Sequence, residues 1–284
     1  MPIANRADRF TVLRGLLAPV VFSVPFWWPT TGLAALLLPL AMFVLIGETN
    51  YLLHLHIHRP LSTRRWLNLT LDLCMAVATG MTASNWRIQH RYGHHERKDI
   101  PYRVGAEWET ARYTPRGALS FSIRSIWPTF WRPIVESWRR GVLANETTPI
   151  GYRWAFVEQV GLILLVAALA AWQPWVVLTF VLPWCGTIYF ITRYVDYLNH
   201  VGCDETGPAP YARANNCLHP LFNRFTHNFG YHTAHHLRPT AHWTELPGIQ
   251  AAIAHRIPPS CLKSYSWSWV LLPWHCVQSL RGRM

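Results

Sequence analysis

Nine of the fifteen histidines fall into four short groups, and their spacing is what gives this sequence chemical content. His54-x-x-x-His58 is the first group and His90-x-x-x-His94-His95 the second. His200 stands by itself, and His232-x-x-His235-His236 is the last. Residues three and four apart lie on one face of a helix. His54 can therefore converge with His58, and His232 with His235 and His236. The second group fits an α-helix less well, because positions i, i+4 and i+5 cover more than one face; Gly93 offers a place for a local kink. Imidazole is a good ligand for iron, and paired side chains on helix faces are how helical scaffolds assemble metal sites. A lone histidine is usually a solvated or hydrogen-bonded side chain. Three groups with helical spacing argue for ligands, and nine imidazoles suit a pair of metal ions.

The other histidines lack this pattern. His56 points about 200° away from His54 on a helix. His219, His242, His255 and His275 read as structural or exposed, while His227 can donate to a ligand or carboxylate. Among the carboxylates, Glu48 lies inside an apolar segment, where an ionisable group is a functional candidate; facing a polar interior is the competing account. Asp72, Glu96 and Asp99 can either orient imidazoles or sit in solvent.

The elements that must position these residues are membrane-spanning. Hydrophobic residues make up 51% of the 284 and charged residues only 14%, well below the roughly 25% usual in soluble domains. Two stretches, Gly15 to Gly47 and Gln159 to Thr192, contain no Asp, Glu, Lys or Arg. Each is too long for one span of about 20 residues. Each is also broken by a turn signal, Trp28-Pro29 in the first and Gln173-Pro174 in the second. This predicts two helical hairpins, with spans over about 10–28, 32–53, 154–171 and 175–196. The histidine groups then fall at one membrane face: His54 and His58 where the second span ends, and His200 just past the fourth.

Charge sets the orientation. The formal net charge is +12, and the basic residues flank the apolar stretches instead of forming a Lys/Arg run. The positive-inside rule accounts for that better than nucleic-acid binding. Arg6, Arg9 and Arg14 precede the first span, Arg59, Arg64 and Arg65 follow the second, and the two turns carry none. Both termini and the polar segments 54–153 and 197–284 are expected in the cytosol, with Ile100–Ile150 as a cap of surface-lying helices. Trp66–Ala83 is expected at the interface. The apolar run near the N-terminus lacks a small-residue cleavage site and leads straight into a second span, so it reads as a span and not as a signal peptide. The six cysteines form no CxxC pair, which fits reduced thiols.

The histidine groups resemble the three boxes of the membrane fatty acid desaturases and the related alkane, carotenoid and sterol hydroxylases. The run His227-Asn228-Phe229-Gly230-Tyr231-His232-Thr233-Ala234-His235-His236-Leu237-Arg238-Pro239 is similar to the signature of that superfamily almost residue for residue. The resemblance extends from the second span to about Pro258. It implies an all-α membrane protein forming one domain over residues 1–284, with a histidine-ligated di-iron site in the cytosolic cap. The ligands it implies are His54, His58, His90, His94, His95, His200, His232, His235 and His236. Many members have Asn at the position of Asp196, which leaves three roles for that carboxylate: binding iron, holding a water or orienting His200.

The implied reaction is O2-dependent attack on a C–H bond of a fatty-acyl or similar lipid chain, in the bacterial inner membrane. The boxes serve desaturases, hydroxylases and oxidative decarboxylases alike; the last box is closer to desaturases. A non-enzymatic metal carrier fits less well, since transporters place ionisable residues near the bilayer midplane and both apolar stretches lack them. No haem or iron–sulfur module is fused to the chain, so an external ferredoxin, rubredoxin or cytochrome is implied as electron donor. Arg97, Lys98, Arg103, Arg112 and Arg116 offer such a carrier a basic docking face, or serve lipid headgroups.

Overall fold

A computed structural model describes residues 3–28, 51–96, 113–147, 151–203 and 208–264, with four isolated positions beyond. The described residues are mostly helical. Three stretches are long and apolar enough to cross a membrane: Arg6–Trp27, Tyr152–Trp172 and Pro174–His200. They coincide with the first, third and fourth spans expected from the sequence. The second span lies mostly outside the described residues; its last residues, 51–53, are helical, and the helix runs on to 58.

The fold divides into two compact units, Met1–Tyr102 with Phe130–Ile188, and Arg103–Thr129 with Tyr189–Met284. In the first unit, α1 (Arg9–Trp27) packs along α3 (Arg65–Thr79), with the helical residues 51–58 as α2 between them in the chain. The short α4 (Ala83–Trp86) follows and runs on as a π-helix over Arg87–His95. After α5 (Pro115–Glu136), α6 (Tyr152–Trp172) returns through the apolar layer. Next, α7 starts at Pro174 and reaches His200, with a π-helical turn at Val177–Val181. Ala18, Phe22, Phe26, Ala78, Val181 and Trp184 share one buried apolar cluster.

Two polar ties close that cluster. Helix ends leave carbonyls without intrahelical partners. Gln173 donates to the Phe26 carbonyl at 2.8 Å, and the Trp184 indole donates to the Ala78 carbonyl at 2.8 Å. The second expected turn is where it was placed: α6 stops at Trp172 and Pro174 opens the next helix; α1 stops at Trp27, and the rest of the first turn lies outside the described residues. Phe26 stacks on Trp172 there, and exposed Trp27, Trp28, Trp172 and Trp175 form an aromatic belt. Gly80 ends α3 with φ 72°, and a β-carbon there would lie 2.6 Å from the Cys185 sulfur. Only glycine meets both conditions.

The second unit is built on the C-terminal part of α7, whose Tyr194, Tyr197 and Leu198 pack with Ala118 and Phe121 of α5. Its remaining elements are short. Strand β1 (Asn216–Cys217) pairs in parallel with β2 (Leu262–Lys263). Helices α8 (Pro220–Phe225), α9 (His232–Leu237) and α10 (Leu246–Ile253) surround the pair. No disulfide links the six cysteines among the described residues.

Candidate metal centre

The first histidine group ends α2, and the π-helix carries the second. Ordinary α-helical geometry would separate His94 and His95 on the helix surface. The π-helical backbone bonds residues five apart, as in the 2.9 Å bond from the Glu96 N–H to the Arg91 carbonyl. The wider turn brings positions i+4 and i+5 both above position i. His94 and His95 therefore stand over His90, with ring centroids 5.2 and 4.7 Å away. Trp86 stacks on the other face of the His90 ring at 5.1 Å.

In the first unit, ring nitrogens of His54, His58, His90 and His95 all lie within 4.8 Å of one another. The Nε2 atoms of His54 and His90 are 2.8 Å apart, and those of His95 and His90 3.1 Å. In the second unit, His200, His232 and His236 do the same. The His232 Nε2 sits 3.1 Å from that of His200 and 3.2 Å from that of His236. His235 follows on the same helix, 5.5 Å from the His232 ring.

These distances are what a metal requires. Two nitrogens at right angles around an ion about 2.1 Å away sit about 3 Å apart. Two facing Nε2 atoms can share one proton, but a cluster of them leaves lone pairs opposed unless a cation intervenes. The donor set is all imidazole, which suits zinc, copper, iron and nickel.

Tautomers and charge point the same way. The His200 Nδ1 lies 3.2 Å from the Arg213 carbonyl, which can only accept, so Nδ1 carries the hydrogen and Nε2 keeps its lone pair. Burial, and then the charge on His94, push the His54 imidazole down to about 3. Its ring stays neutral and available as a ligand near neutral pH.

The flanking structure holds these rings from behind. Asn215 sits beyond α7 and donates through its amide to the carbonyls of Leu198 and Val201, each at 3.0 Å. Asn216 bonds Thr233, the residue after His232, through both ends of its side chain. Gly230 lies so close to the Cys217 carbonyl that a β-carbon would overlap it; its N–H donates to Asn223 Oδ1 at 3.0 Å. Neither asparagine stood out in the sequence. A pair of adjacent Asn between a span and the last box is the only signal there was.

The other sequence candidates are placed as follows. His56 is buried and specific in its contacts: its Nδ1 accepts from the Leu61 N–H at 3.2 Å, so its Nε2 carries the hydrogen, and it lies 3.2 Å from an Asp72 carboxylate oxygen. Asp72 thus orients a histidine, though one between the two ligands of the first box. Glu96 pairs with Arg91 at 3.1 Å. Asp196 binds Arg193 at 3.0 Å, and Arg193 in turn donates to Thr129 at 2.7 Å. His227 is buried edge-on to Trp243, 5.1 Å between rings. His219 caps α8, and His242 bonds Thr244 at 2.7 Å; His255 is exposed. Glu48, Asp99 and His275 lie outside the described residues.

The sequence matches the fatty acid desaturase family over residues 9–268. The chain belongs to the fatty acid desaturase family. Comparison with curated proteins gave no match. As a member of this family, the desaturase-like protein is an oxidoreductase of desaturase or hydroxylase type, with a lipid substrate, and its histidine groups are able to bind metal.

Proposed function

We propose that the protein uses O2 to introduce a C=C bond into a fatty-acyl chain, with two irons held by the nine histidines of the boxes and His200. The observation that carries this reading is the convergence of imidazole Nε2 atoms at 2.8–3.2 Å in a desaturase-family chain. Bound iron would supply the reduction of O2 and the oxidation of the C–H bonds. The balance is one –CH2–CH2– unit, one O2, two electrons and two protons, giving –CH=CH– and two waters.

The protein's part is placement. Backbone and carboxylate contacts at His200 and His56 fix ring orientation, and burial keeps the His54 imidazole neutral. The acyl chain must be held with one methylene at the metals, since misplacement by about 1 Å can change a rate roughly 100-fold. Asp196, through its pair with Arg193, positions the end of α7 that carries His200. His227 and Glu48 remain candidates for supporting the ligands.

The whole of 1–284 acts as one desaturase domain with four spans. Both termini and the metal centre face the cytosol, in a bacterial inner membrane, because Arg6, Arg9, Arg14, Arg59, Arg64 and Arg65 flank the spans on one side. Electrons come from an external ferredoxin, rubredoxin or cytochrome. The test of the reaction is mass spectrometry of lipids from a host expressing the protein with a compatible donor, under 18O2. Desaturation gives a product two daltons lighter without label. An 18O-labelled alcohol, or a chain one carbon shorter, as the main product would replace it with the hydroxylase or decarboxylase reading.

A further inference from the structure

A cavity lies in the first unit, lined by none of the histidines. Helices α3 and α6 splay to leave a cavity of about 440 Å3 that is partly open. That volume falls in the range of small-ligand sites, roughly 300–1,000 Å3. Its walls include Leu69, Leu73, Val157 and Leu165, all exposed apolar side chains. In a membrane, these walls face acyl chains.

The cavity is not uniformly apolar. Asp72 and Glu158 line one end, and no Arg or Lys is among the lining residues. Glu158 is the sole charged residue between Trp154 and Ala171. A carboxylate in a spanning helix is costly and marks a functional site by default. It accepts from the Ser84 N–H at 3.2 Å, a neutral donor. Arg87 stands behind Asp72, 3.9 Å from its carboxylate. Glu158 lies six residues into α6, about 9 Å along the helix axis, which is headgroup depth. From there to Leu165 is about 10 Å more, a stretch of apolar wall for an acyl chain.

We propose that this groove binds a phospholipid bearing a primary amine. One acyl chain lies along the apolar walls, the ammonium donates to Glu158 and Asp72, and the phosphate reaches Arg87. Charge complementarity selects this occupant. A quaternary choline head has no N–H to donate, and a glycerol head brings no ammonium to Glu158. The proposal does not rest on the reaction assigned to the metal centre.

The test uses the full-length protein, delipidated and offered phosphatidylethanolamine, phosphatidylcholine or phosphatidylglycerol, with retained lipid counted by native mass spectrometry. One charge-assisted hydrogen bond corresponds to roughly tenfold or more in affinity, so the ethanolamine lipid should be retained about tenfold over the others. Glu158→Gln should abolish that preference. A β-carbon at Gly161, which lines the groove, meets nothing within 4 Å, so Gly161→Phe fills the groove without a backbone clash. That variant should lose the bound lipid while keeping wild-type iron content. Equal retention of the three lipids by the wild type, or unchanged retention in Gly161→Phe, would overturn the proposal.

Discussion

Asn216 grips Thr233 with both ends of its side-chain amide. Its Oδ1 accepts the Thr233 N–H at 2.9 Å and its Nδ2 donates to the Thr233 hydroxyl at 2.8 Å, with both residues buried. Thr233 follows His232, so the orientation of the last box depends on a residue sixteen positions before it. Its neighbour Asn215 bonds the carbonyls of Leu198 and Val201, which bracket His200. Two adjacent asparagines thus hold two of the segments that carry ligands.

Asn216→Ala leaves the Thr233 N–H buried without its acceptor. An unsatisfied buried group costs about 1–3 kcal/mol. The variant should show a lower Tm and reduced iron content, and Asn216→Asp, which keeps the acceptor, should fall between. Wild-type Tm and iron in Asn216→Ala would show that the pair does not support the box.

The π-helix makes a prediction of register. Inserting one alanine after Tyr92 rotates His94 and His95 away from His90 by about 100°. Iron content should fall sharply while the spans remain folded. Deleting Arg91 instead leaves His-x-x-His-His, which an ordinary α-helix presents on one face, and that variant should keep more iron than the insertion. Equal iron in insertion and wild type would mean the second box does not bind metal through this geometry.

Asp196 balances Arg193, whose side chain is 3% exposed. Removing one partner of a buried pair costs roughly 3–5 kcal/mol, because the other charge is left uncompensated. Asp196→Ala should therefore lose most activity and stability, and Asp196→Asn, which still accepts from the guanidinium, much less. Thermal melts and turnover of the two variants decide it. Equal, near-normal behaviour in both would leave Asp196 without a role at the site.

The histidine boxes and three spans were legible in the sequence because each rests on local periodicity. Helical spacing brings His54 to His58 and His232 to His236, and charge-free stretches with Pro-marked turns bound the helices. The expected misfit of the second box was also real, but its resolution was not visible: a π-helix is a property of the backbone hydrogen-bond pattern, and no residue type demands it. Gly93 does lie within that π-helix. The ties of Asn216 to Thr233 and of Asp72 to His56 were hidden for a different reason. They join residues sixteen or more positions apart, and a single polar side chain carries no periodic signal. His56 read as a bland residue because it faces away from the ligands, yet that placement lets it anchor α2 to α3.

The electron donor supplies a further prediction. Screening shortens the reach of charge to about 8 Å at physiological ionic strength. If an acidic carrier docks on the proposed basic face, carrier-dependent turnover falls as salt rises. Arg97→Glu with Lys98→Glu should slow that turnover and leave iron content intact. An unchanged rate removes those two residues, which lie outside the described segments, from the docking face.

The central claim is a pair of irons on histidine, and metal analysis of gently purified protein tests it most directly. The wild type should hold about two irons per chain, as the two-metal logic of such sites requires. His58→Ala, His95→Ala and His236→Ala should each lose iron and activity together. Full iron occupancy and activity in all three variants would contradict the di-iron assignment.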